Sequence, residues 1–309
     1  MDVYVQNLVK HFDKTRAVDD ITFSFSAGQI FGFVGPNGAG KTTTIRVLVT
    51  LLEPTSGNAY VNGVSVVEDP EKARGMVGYM PDSLPEHSDI TVRDYLDFFA
   101  RSYGVRANRR RKVIEGIEEF TNLSGIRDKF LKALSKGMKQ RVSLARSLVH
   151  DPKVLILDEP AAGLDPRARV ELRELLKILS QQGKAILISS HILTELAEIC
   201  DGAVIIEQGK LLRAGNINDM HEVDQQLRTI AIRLIDRQEQ AYKQLLQTPN
   251  VEETRMVGDK IEIEIHGSDE TAHQILTGLI KDGFRVIEYR HHQADLEDIF
   301  MNITKGTVQ

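Results

Sequence analysis

Residues 35–42 read Gly-Pro-Asn-Gly-Ala-Gly-Lys-Thr, a G-x-x-x-x-G-K-[ST] loop, and this segment constrains the fold more than any other. Ile30–Val34 before it is a short apolar run of the kind that forms a buried strand. Lys41–Leu52 after it is compatible with a helix that Glu53-Pro54 ends. Strand, glycine-rich loop and helix in that order make a cradle for phosphate. The glycines let successive backbone N–H groups turn inward at a positive helix end. Lys41 is placed to reach the β and γ phosphates, the Thr42 hydroxyl to hold Mg²⁺, and Thr43 to touch the α phosphate. Gly35, Asn37, Gly38, Ala39, Gly40, Lys41, Thr42 and Thr43 are therefore the candidate residues for a nucleoside triphosphate.

Val154–Leu157 and Ala185–Ser189 are further continuous apolar runs, as strands buried on both faces of a mainly parallel sheet require, and the periodic segment Arg167–Ser180 lies between them. The fold class is α/β. From Asp82 to His150 the pattern becomes purely helical, with Val92, Leu96, Phe99 and Ala100 on one stripe and Leu144, Leu148 and Val149 on another, which predicts a helical insertion. The sheet pattern stops near Asn216–Val223. Residues 1–216 are thus read as the nucleotide-binding domain, with its insertion at about 82–150, and residues 217–309 as an accessory α+β domain. Within the latter, Ile230, Ile232 and Leu234 alternate with polar residues, as do Ile261, Ile263 and Ile265. Ala272, Ile275, Leu276, Leu279 and Ile280 form a helical stripe, Phe284–Tyr289 another strand, and Leu296, Ile299, Phe300 and Ile303 a last helix. That order suggests a ferredoxin-like sandwich.

The chain has 309 residues, enough for two domains, and a net charge of −5, which disfavours a strongly basic nucleic-acid binder. Its one cysteine, Cys200, excludes an internal disulfide framework and favours a reducing compartment. The longest apolar runs fall far short of the roughly 18 residues of a membrane span. The cluster Arg106, Arg109, Arg110, Arg111 and Lys112 is read as a solvated helix face, with nearness to anionic lipid headgroups as the sharper alternative.

Val154–Leu157 leads into Asp158-Glu159-Pro160, so two carboxylates emerge at the strand end beside the phosphate loop. Asp158 is assigned to Mg²⁺ and Glu159 to the attacking water as orienter or base. Leu134-Ser-Lys-Gly-Met-Lys-Gln-Arg141 offers a second phosphate grip, with Ser135 as helix N-cap and Gly137 leaving the first turn bare.

This run resembles the signature motif of ATP-binding-cassette (ABC) ATPases, usually LSGGQ, with Lys136 and Met138 as departures. The resemblance covers about residues 2–215 and implies an ABC-type phosphate-loop ATPase core that hydrolyses ATP with Mg²⁺. It implies that Ser135 and Gly137 grip the ATP of the opposite subunit in a homodimer or a heterodimer with another cassette. Gly163-Leu-Asp-Pro166 resembles the loop linking the two sites, and His191, after Ser190, the switch histidine that contacts the γ phosphate. Phe12 matches the aromatic that stacks on adenine, with a core aromatic as the rival reading. Asp82, in Gly78-Tyr-Met-Pro-Asp82, stands where the family has a glutamine and is a further candidate for the metal. Asp295–Thr304 is similar to the end of the extension on exporter subunits of the daunorubicin-resistance and sodium-efflux type.

What the resemblance implies is an ATPase subunit of an exporter, on the cytoplasmic face of the membrane, driving a separate integral-membrane permease. A soluble ABC ATPase acting on nucleic acid or the ribosome is the alternative. The coiled-coil insertion, paired cassettes or nucleic-acid-binding inserts of that class are not visible here, and no nucleic acid partner is expected.

Overall fold

The computed structural model describes residues 2–13, 15–84, 89–217 and 227–292. The chain divides into two compact units, the first running to Ile217 and the second beginning at Asn218.

The first unit is built on a six-stranded sheet in the order β10-β9-β3-β8-β7-β6. Its strands are β3 (Ile30–Val34), β6 (Val77–Met80), β7 (Val154–Asp158), β8 (Ala185–Ser190), β9 (Gly202–Glu207) and β10 (Lys210–Asn216). Neighbouring strands from β9 through β6 pair in parallel, and β10 returns antiparallel to β9. Every residue of β3, β7 and β8 is buried, as their uninterrupted apolar runs anticipate. Each fully buried Val, Leu or Ile contributes roughly 1.5–3 kcal/mol, which fixes these strands firmly. Because they are parallel, the residues that follow β3, β8, β7 and β6 all leave from one edge of the sheet.

A second, antiparallel sheet of order β2-β1-β4-β5 was not anticipated from the sequence. It comprises β1 (Val3–Phe12), β2 (Thr15–Phe25), β4 (Ser56–Val61) and β5 (Val64–Ser65). Val3, Val5, Phe23 and Phe25 from this sheet share one core with Ile45 and Leu48 of α1 (Lys41–Leu48) and with Phe33, Ile156 and Leu187 of the parallel sheet. Helix α1 is shorter than its apolar pattern predicts. It ends at Leu48 because Thr50 turns left-handed, with φ +61°, and the amides of Leu51 and Leu52 bond back to Arg46. Helix α2 (Pro70–Arg74) leads from β5 to β6.

The helical insertion contains α3 (Val92–Ser102), α4 (Ala107–Phe120) and α5 (Lys136–Leu148), with short 3₁₀ turns at Ser124–Ile126 and Leu131–Ala133. Val92, Leu96 and Ala100 of α3 pack with Ile114 of α4 and with Val142, Ala145 and Val149. Helices α6 (Pro166–Gln181) and α7 (Leu193–Ala197) follow β7 and β8.

The second unit holds β11 (Leu227–Leu234), α8 (Gln238–Leu245), β12 (Val251–Val257), β13 (Lys260–His266), α9 (Asp269–Lys281) and β14 (Val286–His292). Its sheet order is β12-β13-β11-β14 with every neighbour antiparallel, the βαββαβ arrangement of a ferredoxin-like sandwich. The alternating Ile230, Ile232, Ile261, Ile263 and Ile265 all face a core closed by Leu245, Ile275 and Leu279. The last helix expected over Leu296–Ile303, and the Asp295–Thr304 segment, lie outside the described residues. Among the described residues no helix is long and apolar enough to cross a membrane.

Candidate functional site

Gly35–Gly40 connects the end of β3 to α1. Gly40, the N-cap of α1, has φ +105°, and a Cβ there would fall 2.5 Å from the carbonyl oxygen of Ala17, so only glycine fits beside β2. Further bonds hold the loop: Ala39 N–H donates to Pro36 O at 3.1 Å and Gly209 N–H to Ala39 O at 3.0 Å. The Lys41 ammonium is buried and folded back over the loop, donating to the carbonyls of Gly35 at 2.6 Å and Pro36 at 3.2 Å. Burial lowers its pKa, and the Glu159 and Asp158 carboxylates act against that shift. Thr42 and Thr43 occupy the first turn of α1.

At the end of β7, Asp158 is 3% exposed and Glu159 takes a left-handed backbone with φ +49°. Ser189, fully buried at the end of β8, links the two: its hydroxyl donates to Asp158 Oδ1 at 2.6 Å and accepts from Glu159 N–H at 2.9 Å. His191 Nδ1 lies 2.9 Å from Glu159 Oε2. With the proton on Nδ1 the ring donates to the carboxylate, and Nε2 is left to face a ligand. The Tyr79 hydroxyl at the end of β6 belongs to the same field, its pKa pushed up to about 12 by burial first and then by Asp158. Asp82 is exposed, and its backbone carbonyl accepts from the Gln140 amide at 3.4 Å. Arg146 donates to Tyr79 O at 2.7 Å, so α5 holds the end of β6 through Arg146 and the loop after it through Gln140.

The structure thus gathers Lys41, Asp158, Glu159 and His191 at one sheet edge. Ser135 and Gly137 lie at the start of α5. Ser135 caps α5, its Oγ accepting from Met138 N–H at 3.3 Å. Among the described residues neither it nor Gly137 makes a hydrogen bond to the phosphate loop, Asp158, Glu159 or His191. Lys136 and Gly137 meet the Gly163–Pro166 loop. A Cβ on Gly163 would clash with the Lys136 ammonium, and a Cβ on Gly137 would meet Leu164 at 3.6 Å. Asp165 caps α6 by accepting from Ala168 N–H at 2.9 Å. Phe12 is 45% exposed, which excludes the core alternative, and Lys10 lies 5.2 Å from its ring centroid.

Sequence reasoning missed Ser189. Its only signal was a pair of serines closing an apolar strand before His191, and nothing in that pattern says which serine faces Asp158.

Thr42 hydroxyl and Asp158 carboxylate are hard oxygen donors, the type Mg²⁺ takes when nucleotide phosphates complete its shell. Among the described residues no group of three or more His, Cys, Asp or Glu could hold a metal alone.

An ABC transporter family model matches residues 18–162, which includes the phosphate loop, the signature segment and the Asp158-Glu159 pair. Nod factor export ATP-binding protein I of Ralstonia nicotianae is 33% identical, with 97% of this chain and 92% of that protein aligned. The corresponding protein of Burkholderia pseudomallei (strain K96243) is 36% identical over 97% and 95%. The chain belongs to the ABC transporter family. It is an ATP-binding subunit and an ATPase. The uncharacterized ABC transporter ATP-binding protein YhcH of Bacillus subtilis is 34% identical over 98% of this chain and 96% of its own length. Among solved structures, an ATP-binding subunit of an ABC transporter superposes with a TM-score of 0.67 at 29% identity, covering 72% of this ABC ATPase and 93% of that chain. The cbiO1 protein of Clostridium perfringens, part of the cbiONQ transporter complex, gives 0.65 at 27% identity over 80% and 96%.

Proposed function

We propose that this ABC ATPase is the motor subunit of an exporter, working as one of two cassettes that close over ATP and drive a separate membrane permease from the cytoplasmic face. The observation that carries the reading is that, among the described residues, no hydrogen bond joins the two phosphate grips. Lys41, Glu159 and His191 converge at one edge, while Ser135 and Gly137, at the start of α5, have no hydrogen bond to them among the described residues. Two chains facing head to tail complete both sites. Export is supported by the Ralstonia and Burkholderia relatives, which are named for Nod factor export.

ATP enters with its phosphates in the 35–42 loop. Lys41 leaves its two carbonyl partners to meet the β and γ phosphates, and loop N–H groups take the remaining oxygens. Phe12 stacks on the adenine. Thr42 and Asp158 would hold Mg²⁺, with Asp82 as a further candidate, and the ion when bound would neutralise phosphate charge. Water attacks the γ phosphorus, the bond to the bridging oxygen breaks, and ADP and phosphate form. Glu159 takes the proton the water loses. His191, oriented by Glu159, touches the γ phosphate, and Ser135 and Gly137 of the second cassette close the far side.

Mixing Lys41→Ala chains with Ser135→Arg chains tests this reading. The mixture confines both lesions to one site and leaves the other whole, so ATPase activity is expected to recover partly above either variant alone. No recovery, together with no ATP-dependent pairing by crosslinking, would overturn the composite site.

A further inference from the structure

The cations of α4 are arranged against the helix that carries them. Arg106 is its N-cap, and Arg109, Arg110, Arg111 and Lys112 follow within the first two turns. No acid stands in the first turn and no base in the last, whereas Glu118 and Glu119 sit at the C-terminal end. Cations at a positive helix end and acids at a negative one are both destabilising placements. Two of the cations are neutralised, Arg110 by Asp97 at 2.5 Å and Arg111 by Glu115 at 2.9 Å. Arg106, Arg109 and Lys112 are exposed, and among the described residues no carboxylate pairs with them. At a spacing of three they line the side turned away from the buried Ile114 and Glu118.

The neighbouring end of α3 adds exposed aromatic surface. Phe98 is 58% exposed and Tyr103, at the C-cap, is 37% exposed. The Arg110–Asp97 pair ties the two helix ends together. Stacking of Tyr103 on His150, with ring centroids 3.8 Å apart, and the bond of His150 Nε2 to Val77 O at 3.1 Å fix them against β6.

We propose that this patch, Arg106, Arg109 and Lys112 with Phe98 and Tyr103, is a docking surface for anionic phospholipid headgroups. The chain as a whole carries −5, so three neighbouring cations that pair with no carboxylate among the described residues are a local reversal of sign that a negative surface would recognise. Amphipathic aromatic rings beside cations suit the headgroup layer, where one end of the ring is wet and the other is not. The placement holds an ATPase against the leaflet without any contact to a permease, so it goes beyond the proposed function and stands or falls separately from it.

Flotation of the full chain with vesicles of phosphatidylcholine, with and without roughly one-third phosphatidylglycerol, tests the proposal. Binding is expected only to the anionic vesicles and is expected to weaken as salt rises. Combined Arg106→Gln, Arg109→Gln and Lys112→Gln should lower the partition coefficient by roughly 10²-fold, at about fivefold per cation. Its melting temperature should hold or rise, since the substitutions relieve the positive helix end. A control carrying Lys72→Gln, Lys243→Gln and Lys281→Gln loses the same charge elsewhere and should float like the wild type. Equal binding to neutral vesicles, or an equal loss in the control, would overturn the proposal. So would binding of a labelled DNA duplex through the same three residues in place of vesicles, which would make the patch a nucleic-acid surface.

Discussion

Ser189 donates a 2.6 Å hydrogen bond to Asp158 from the adjacent strand while accepting from the backbone of Glu159 at 2.9 Å. One buried hydroxyl therefore sets the position of both acids proposed for metal binding and catalysis. Ser189→Ala leaves a buried carboxylate and an amide short of a partner and is expected to cost about 1–3 kcal/mol of stability. In urea unfolding that loss should appear as a lower midpoint. In single-turnover hydrolysis the rate should fall while ATP affinity changes little. A variant with wild-type turnover would show that Asp158 and Glu159 hold their places without it.

Glu159→Gln keeps the shape of the side chain but removes the proton acceptor. Turnover is expected to fall on the order of 10²-fold or more. Binding of ATP should persist, and light scattering should find a closed dimer accumulating with nucleotide. Normal turnover in this variant would take Glu159 out of the role of base.

Gly163 and Lys136 should be energetically coupled. Gly163→Ala meets both a left-handed backbone, φ +69°, and the Lys136 ammonium lying where the new Cβ would stand. Lys136→Gly removes the second obstacle and leaves the first. The double variant should then be more stable than the sum of the two single effects predicts, by about 0.5–3 kcal/mol. Additive losses in thermal unfolding would separate the two residues.

Asp82 is proposed to act in coupling to the permease, since its carboxylate is exposed and its backbone is held by Gln140. Asp82→Gln is expected to leave basal hydrolysis within roughly threefold, far from the 10² of a lost base. Stimulation by the permease in reconstituted vesicles should change. If Asp82→Ala abolishes basal hydrolysis as Glu159→Gln does, Asp82 belongs among the residues that touch the reacting atoms.

The second unit has a core of its own, closed by Ile230, Ile263, Leu245 and Ile275. A chain ending at Ile217 should bind ATP as the full chain does, because Lys41, Asp158, Glu159 and His191 all precede that point. Equilibrium binding of a fluorescent ATP analogue checks it, and loss of binding by a folded truncation would place part of the site beyond Ile217.

What the sequence determined by itself were the features encoded locally. Apolar runs at 30–34, 154–157 and 185–189 gave buried parallel strands because a strand covered on both faces has no polar side to interrupt it. The loop at 35–42 was legible for the same reason: its glycines and Lys41 act on a ligand through their own short stretch of backbone. Alternation at Ile261, Ile263 and Ile265 located the second unit's sheet, since a period of two can bury only one face.

The tertiary structure alone decided the pairings that join distant segments. The sheet formed by β1, β2, β4 and β5 escaped notice because its bulged, partly polar strands blur the alternation, and only packing against α1 and the parallel sheet makes them one layer. Which serine of Ser189-Ser190 faces Asp158 follows from the register of β8 against β7, a relation between chains of residues 31 positions apart. The contact of Lys136 with Gly163 and the isolation of Arg106, Arg109 and Lys112 arise likewise from where helices stop and which acids lie within reach. Side-chain partners are set by three-dimensional distance, and spacing along the chain fixes that distance only within a single helix or strand.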